Sequence, residues 1–158
     1  IMCGIAGIIS SQRGFVTRER LQRMSDSLIH RGPDGVGFFI SEKDHFSTGL
    51  AHRRLAIIDL SDAAEQPLLY MNRYTIIHNG ELYNYRELKS ELAELGLHFK
   101  TETDTDVIVA AYHHYGENCL HKMDGMFAFA IWDDQKDFLF CARDRFGEKL
   151  FYYYFDEK

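Results

Sequence analysis

Tyr74-Thr75-Ile76-Ile77-His78-Asn79-Gly80-Glu81-Leu82-Tyr83-Asn84-Tyr85 is the stretch whose reading decides the fold. Tyr74 to His78 has the β-branched, apolar character of a strand, and it runs straight into Asn79-Gly80. Asn-Gly is a common hairpin signal, because both central positions of a type I′ turn need positive φ. The residues beyond the glycine argue for a different connection, since Tyr83-Asn84-Tyr85 opens a helical pattern instead of a returning strand. Asn84 is a candidate N-cap with Glu87 three residues on, Leu88, Leu92 and Leu95 form an apolar stripe, and Gly96 ends it. Outside a hairpin, the Asn79 amide and the Gly80 N–H, unshielded by any Cβ, are two donors able to converge on one developing oxyanion.

Working outward, the N-terminal side is rich in strands. Gly4 to Ile9 is a short β-branched run bounded by Ser10-Ser11, and Thr17 caps a predicted helix whose Leu21, Met24 and Leu28 share a face up to His30. Arg31-Gly32-Pro33-Asp34-Gly35 is a turn. Further strands are expected at Gly37 to Ser41, Phe46 to Ala51 and Arg54 to Ile58, before a polar loop closed by Pro67. On the C-terminal side a helix is predicted from Asp104 or Thr105 to Tyr115, with Val107, Ile108, Ala111 and Tyr115 inward. Strands return at Met126 to Trp132, Phe138 to Arg143 and Leu150 to Phe155, the first two joined by Asp133 to Asp137. Strand-rich ends around a helical middle predict an α+β fold with antiparallel pairing.

At 158 residues with 46% hydrophobic content the chain is one domain with a sizeable core. A net charge of −6 with no local Lys/Arg cluster disfavours nucleic acid or an anionic membrane as partner. No apolar run of about 18 residues and no signal-peptide pattern occur, so a cytoplasmic protein is expected. The cysteines Cys3, Cys119 and Cys141 are odd in number and lack CxxC spacing, which argues against disulfides and zinc. His113 and His114 are adjacent, not four apart on one helix face, so no metal site is expected.

Three further residues invite chemistry beside an ordinary structural explanation. Cys3 is either a small apolar residue starting a strand or, once Met2 is removed, a residue carrying both a thiol and an α-amine that accepts its proton. Those two groups titrate close together, at about 8 and about 8.5. Arg54, beside the apolar Leu55-Ala56-Ile57-Ile58, is either a surface strand arginine or a fork for a carboxylate. Asp104 is either a helix N-cap or a partner for a substrate ammonium.

Taken together these residues resemble a known family. Met2-Cys3-Gly4-Ile5-Ala6-Gly7, His30-Arg31-Gly32-Pro33-Asp34-Gly35, Ala51-His52-Arg53-Arg54-Leu55-Ala56-Ile57-Ile58-Asp59, Asn79-Gly80-Glu81-Leu82-Tyr83-Asn84, Gly125 to Ala130 and Ala142 to Gly147 follow the motif order of the class II glutamine amidotransferases. These are N-terminal-nucleophile enzymes, and Pro33 after Arg31-Gly32 is similar to the glutaminase domain of the asparagine synthetases. The resemblance covers nearly the whole chain. It implies a four-layer αββα sandwich of two antiparallel sheets, with Cys3 attacking the side-chain amide of glutamine. It also implies that Asn79 and the Gly80 N–H hold the oxyanion, a donor whose loss costs on the order of 100- to 1000-fold. Arg54 would clamp the substrate carboxylate, Glu81 and Asp104 its ammonium, and the backbone at Ile57 would contribute nearby. Arg31 to Asp34 would shape the site without a chemical step.

The sequence departs from the family at a few places. Asp106 stands where glutamate is more frequent, Thr103 where serine is, and Leu150 where proline is. Ile1 precedes the methionine, so Cys3 has a free α-amine only if Ile1 and Met2 are absent, and the natural product is expected to begin at Cys3. The chain contains no pyrophosphate loop, so residues 1–158 are expected to be a glutaminase portion, C-terminally truncated, that needs no cofactor. ATP and magnesium would belong to a synthetase domain elsewhere in a longer chain, and a homodimer is a possible assembly. Two alternatives stand beside this: a catalytically silent copy acting as a regulatory or assembly module, and an amidotransferase with another ammonia acceptor.

Overall fold

The computed structural model of the chain describes residues 3–55 and 65–156. Strand β1 (Gly4–Ser10) leads to helix α1 (Arg18–Asp26), followed by β2 (Gly35–Glu42) and β3 (Ser47–Arg54). Next come β4 (Leu68–Tyr70), β5 (Tyr74–Leu82), α2 (Tyr85–Glu94) and α3 (Asp104–Tyr115). A 3-10 segment, Gly116–Lys122, then precedes β6 (Gly125–Asp133) and β7 (Phe138–Arg143). All pairings are antiparallel and build two sheets, ordered β1-β3-β2 and β4-β5-β6-β7.

Side-chain alternation along the strands sets the layers. Tyr74, Ile76 and Leu82 of β5 and Phe127, Phe129 and Ile131 of β6 enter the core beneath α2 and α3. Their neighbours Ile77, Ala130 and Trp132 turn the other way and meet Leu50 of β3, with Ile5 and Phe39 packed alongside. On the outer side of the first sheet α1 lies directly on β3: a Cβ at Gly49 would sit 2.7 Å from Leu21 and Val16 side-chain atoms. The order is therefore helix, sheet, sheet, helices, the αββα sandwich.

Local signals account for most boundaries. Thr17 caps α1, its Oγ1 accepting from the Arg20 N–H at 3.2 Å. The helix stops at Asp26, short of His30, because Ser27 Oγ donates to the Met24 carbonyl at 2.6 Å and the chain then breaks into turns. Gly96 ends α2 with φ +86°, as its position implies. Asn84 occupies the N-cap position of α2 but does not cap it. Its side chain instead bridges to the approach to β6, donating to the Lys122 carbonyl at 2.9 Å and accepting from the Asp124 N–H at 3.0 Å.

Three expectations need correction. The two strands read at Phe46 to Ala51 and Arg54 to Ile58 are one strand as far as Arg54, because His52 and Arg53 are accommodated inside it; positions 56–58 lie outside the described residues. Leu95 belongs to no apolar stripe, being half exposed at the C-cap of α2. Leu150 to Phe155 is not a strand. It forms no strand pairing among the described residues, and Tyr152, Tyr153 and Tyr154 are each more than four-fifths exposed.

Just before that segment, Asp144 organises the chain after β7. Its buried carboxylate accepts from the N–H groups of Phe146 (3.1 Å), Glu148 (2.9 Å), Lys149 (2.9 Å) and Phe127 of β6 (3.2 Å). Burial alone would raise its pKa, but the backbone amides of Lys149, Glu148, Phe127 and Gly147 outweigh it and hold the carboxyl below the ordinary range. A depressed carboxyl stabilises the fold above its unfolded pKa of about 3.9 and loses that contribution as pH falls through the folded value. Asp144→Asn is expected to cost about 3 kcal/mol at neutral pH. Below pH ~4 its stability should fall less steeply with pH than the parent's. Urea unfolding of both proteins across that range measures it, and parallel stability curves would contradict it.

Candidate active site

Cys3 stands immediately before β1, whose register pairs Gly4 with Arg53, so continuing the ladder places Cys3 beside Arg54. Its thiol lies against Leu55, accepting from the Leu55 N–H at 3.4 Å and reaching the Leu55 carbonyl at 3.9 Å. Arg31 Nε donates to the Cys3 carbonyl at 3.3 Å, which fixes the nucleophile candidate from the turn after α1. Gly32 allows that turn to approach: a Cβ there would lie 2.5 Å from the Arg53 carbonyl carbon. The turn expected to shape the site thus lies against Cys3 and β3.

Adjacent arginines on β3 take opposite faces. Arg53 turns toward α1, where its Nε donates to the Ser25 carbonyl at 3.2 Å and its guanidinium pairs with Asp26. Arg54 therefore shares the face of Leu50 and His52, toward the second sheet. It lines a cleft with Asp34, Gly35, His52 and Gln66. His52 is buried there, and burial, reinforced by His78 and Arg54, pushes its pKa down to about 3, so it is neutral at physiological pH.

From the second sheet comes the Asn79-Gly80 pair, and it lies within β5, not in a turn. Alternation puts Asn79 on the inter-sheet face with Ile77. Asn79 is buried, and its amide oxygen has no hydrogen-bond partner among the described residues. Gly80 has φ +153°, and a Cβ would collide with the Met126 carbonyl oxygen and stand 2.6 Å from the Phe127 Cα. Only glycine lets β5 and β6 close at this point.

Beyond Ile76 the edge of β5 opposite β6 has no strand partner among the described residues, since β4 pairs only as far as that residue. Side chains cover it instead. The His78 N–H donates to Gln66 Oε1 at 2.6 Å, and the Leu82 N–H donates to Asp104 Oδ2 at 2.9 Å. Because N–H groups of alternate residues leave a strand on the same edge, that of Gly80 projects between these two capped positions. Asp104 is thus the first residue of α3, with Thr103 at the N-cap position, and one of its oxygens is engaged by β5. Glu81 is exposed on the Asn79 face. Ile57 lies outside the described residues.

The sequence reading missed three groups that support this arrangement. Gln66 and Thr105 join His78 in a buried polar cluster, and Asp106 holds the loop before α3. One Asp106 oxygen accepts from the Lys100 N–H at 2.7 Å and the Thr101 N–H at 2.8 Å. The available signal was His78 itself, a polar side chain in an apolar strand, which must find partners when buried. Cys119 is packed in the core, where burial pushes its thiol up to about 12; that inert state separates it from Cys3. Among the described residues no group of three or more His, Cys, Asp or Glu could hold a metal ion, and no helix is long and apolar enough to cross a membrane.

Two antiparallel sheets between helices, with Cys3 at the head of the first strand, form an αββα domain, and comparison with known proteins gives its family. The profile of a glutamine amidotransferase domain matches residues 2–158, and the chain belongs to that family. It is 43% identical, over 98% of its length, to a putative glutamine-hydrolyzing asparagine synthetase 2 of Methanocaldococcus jannaschii. It is equally 43% identical, over 96% of its length, to the glutamine-hydrolyzing asparagine synthetase 1 of Bacillus subtilis. The chain spans 32% and 24% of those relatives. In fold it is similar to the glutamine phosphoribosylpyrophosphate amidotransferase of B. subtilis, solved with ADP and GMP. The TM-score is 0.63 at 22% identity, covering 82% of this chain and 35% of that one.

Proposed function

We propose that this chain is the glutaminase portion of a glutamine-hydrolysing asparagine synthetase. The supporting observation is that Asn79-Gly80 continues β5 instead of turning, which leaves the Gly80 N–H on a partly capped strand edge next to the buried Asn79 side chain, whose NH2 is a second donor.

In this reading the Cys3 sulfur attacks the side-chain carbonyl carbon of glutamine while its proton passes to the Cys3 α-amine. The resulting oxyanion takes hydrogen bonds from Asn79 and the Gly80 N–H. Collapse breaks the C–N bond, the α-amine returns the proton to the leaving nitrogen, and ammonia departs. Water then cleaves the glutamyl thioester, giving glutamate and the free thiol. Arg54 grips the substrate carboxylate, Glu81 and Asp104 its ammonium, and the Ile57 backbone adds a contact. Matching both charged ends rejects simple amides, because the unpaired site groups would remain desolvated.

No cofactor enters these steps. ATP and magnesium serve a synthetase domain in the remainder of a longer chain, which consumes the ammonia. The setting is cytoplasmic, and a homodimer is the proposed assembly. The test is release of equimolar glutamate and ammonia from glutamine by protein beginning at Cys3, compared with protein retaining Ile-Met. The extended form, whose amine has become an amide, should be inactive or severely impaired. No release from the Cys3-initiated chain, or equal release from both, overturns the reading.

A further inference from the structure

Gln66 holds three parts of the site at once. Its Oε1 accepts from the His78 N–H at 2.6 Å, and its Nε2 donates to Thr105 Oγ1 at 3.2 Å. Thr105 Oγ1 also meets His78 Nδ1 at 3.2 Å, and that nitrogen lies 3.9 Å from Asp104 Oδ1. Gln66 further lines the cleft that holds Arg54. The side chain therefore fastens β5, one residue before Asn79, to α3, one residue after Asp104. With the Asp104–Leu82 bond it brackets the edge where the Gly80 N–H projects.

We infer that Gln66 is a positioning residue: through His78 and Thr105 it sets the distance between the oxyanion donors of β5 and the ammonium-binding Asp104. The inference rests on the glutaminase reading above. Gln66 touches no reacting atom. Among the described residues no strand ladder holds this edge of β5 beyond Ile76, so the side-chain caps on the N–H groups flanking Gly80 determine where that donor points. Losing one cap frees the edge and separates donors that must converge on a single oxygen, and a displacement of about 1 Å at a reacting centre costs on the order of 100-fold.

The test uses protein beginning at Cys3, with glutamine turnover as one readout and calorimetric glutamine binding to the Cys3→Ala form as the other. Gln66→Ala and Thr105→Val are each expected to lower kcat/KM by roughly 10- to 100-fold, and Thr105→Ser, which keeps the shared oxygen, is expected to restore it. In the double variant Gln66→Ala/Asp104→Asn the losses should combine less than multiplicatively, because Gln66 acts in part through the placement of Asp104. Parent-like kcat/KM in Gln66→Ala and Thr105→Val, or losses that multiply in the double variant, would overturn the inference. Where Gln66→Ala does not fold, the Thr105→Val and Thr105→Ser pair decides. If the parent releases no glutamate and the Cys3→Ala form binds no glutamine, the glutaminase reading fails and this inference with it. A working parent with an indifferent Gln66 defeats the inference alone.

Discussion

Cys3→Ala is expected to reduce glutamate release to the uncatalysed background while leaving glutamine binding intact. The sulfur is the attacking atom in the proposed sequence, and neither other cysteine substitutes for it: Cys119 is packed in the core with its thiol pushed up to about 12, and Cys141 lies on β7, away from the Arg54 cleft. The structural cost is small. The thiol's contacts are with the Leu55 backbone, at 3.4 Å and 3.9 Å, so alanine forfeits about 1 kcal/mol or less. At this chain length that moves Tm by roughly 2–4 °C. Glutamate assay, calorimetry with glutamine and thermal unfolding on one preparation separate chemistry from folding. Turnover persisting in Cys3→Ala would remove Cys3 from the mechanism.

Gly80→Ala has the next largest expected effect, and it strikes fold and site together. The added methyl carbon would fall on the Met126 carbonyl oxygen and 2.6 Å from the Phe127 Cα, at a φ of +153° that L residues rarely adopt. Backbone atoms cannot yield as a flexible side chain does, so β5 and β6 must part. Overpacking and backbone strain together are expected to cost about 4 kcal/mol. That corresponds to a fall in Tm of roughly 10 °C. Parting the strands also displaces the Gly80 N–H, so the folded fraction should lose on the order of 100-fold in kcat. Turnover normalised to folded protein tests the second claim. A folded Gly80→Ala protein with parent kcat would show that this N–H does not hold the oxyanion.

The strongly periodic elements were legible in the sequence because local rules and tertiary packing agree there. The Thr17 cap, the Leu88/Leu92 stripe, the Gly96 stop and the β6–β7 hairpin are such cases. Reading failed where long-range contacts decide. Arg53 looked like a break between strands, yet Asp26 and Ser25 of α1 accept it, and no local pattern announces a partner 27 residues away. Leu150 to Phe155 has the composition of a strand but no strand to pair with among the described residues, and composition is only half of what a strand requires. The candidate site was legible as residue types, since Cys3, Arg54, Asn79, Gly80 and Asp104 each have chemistry of their own. Its scaffold was not, because Gln66 and Thr105 gain meaning only when β5 and α3 are adjacent.

The opposed arginines of β3 carry one more implication. In a strand of period two, a shift of one residue against β1 would exchange their faces, setting the Arg54 guanidinium against α1 and sending Arg53 into the cleft that Arg54 lines. The outer arginine, seated on Asp26 and Ser25, is satisfied only in the native alignment. It acts as a proofreader of strand alignment, so that a misaligned chain would lose its helix contact as well as the arginine in the cleft.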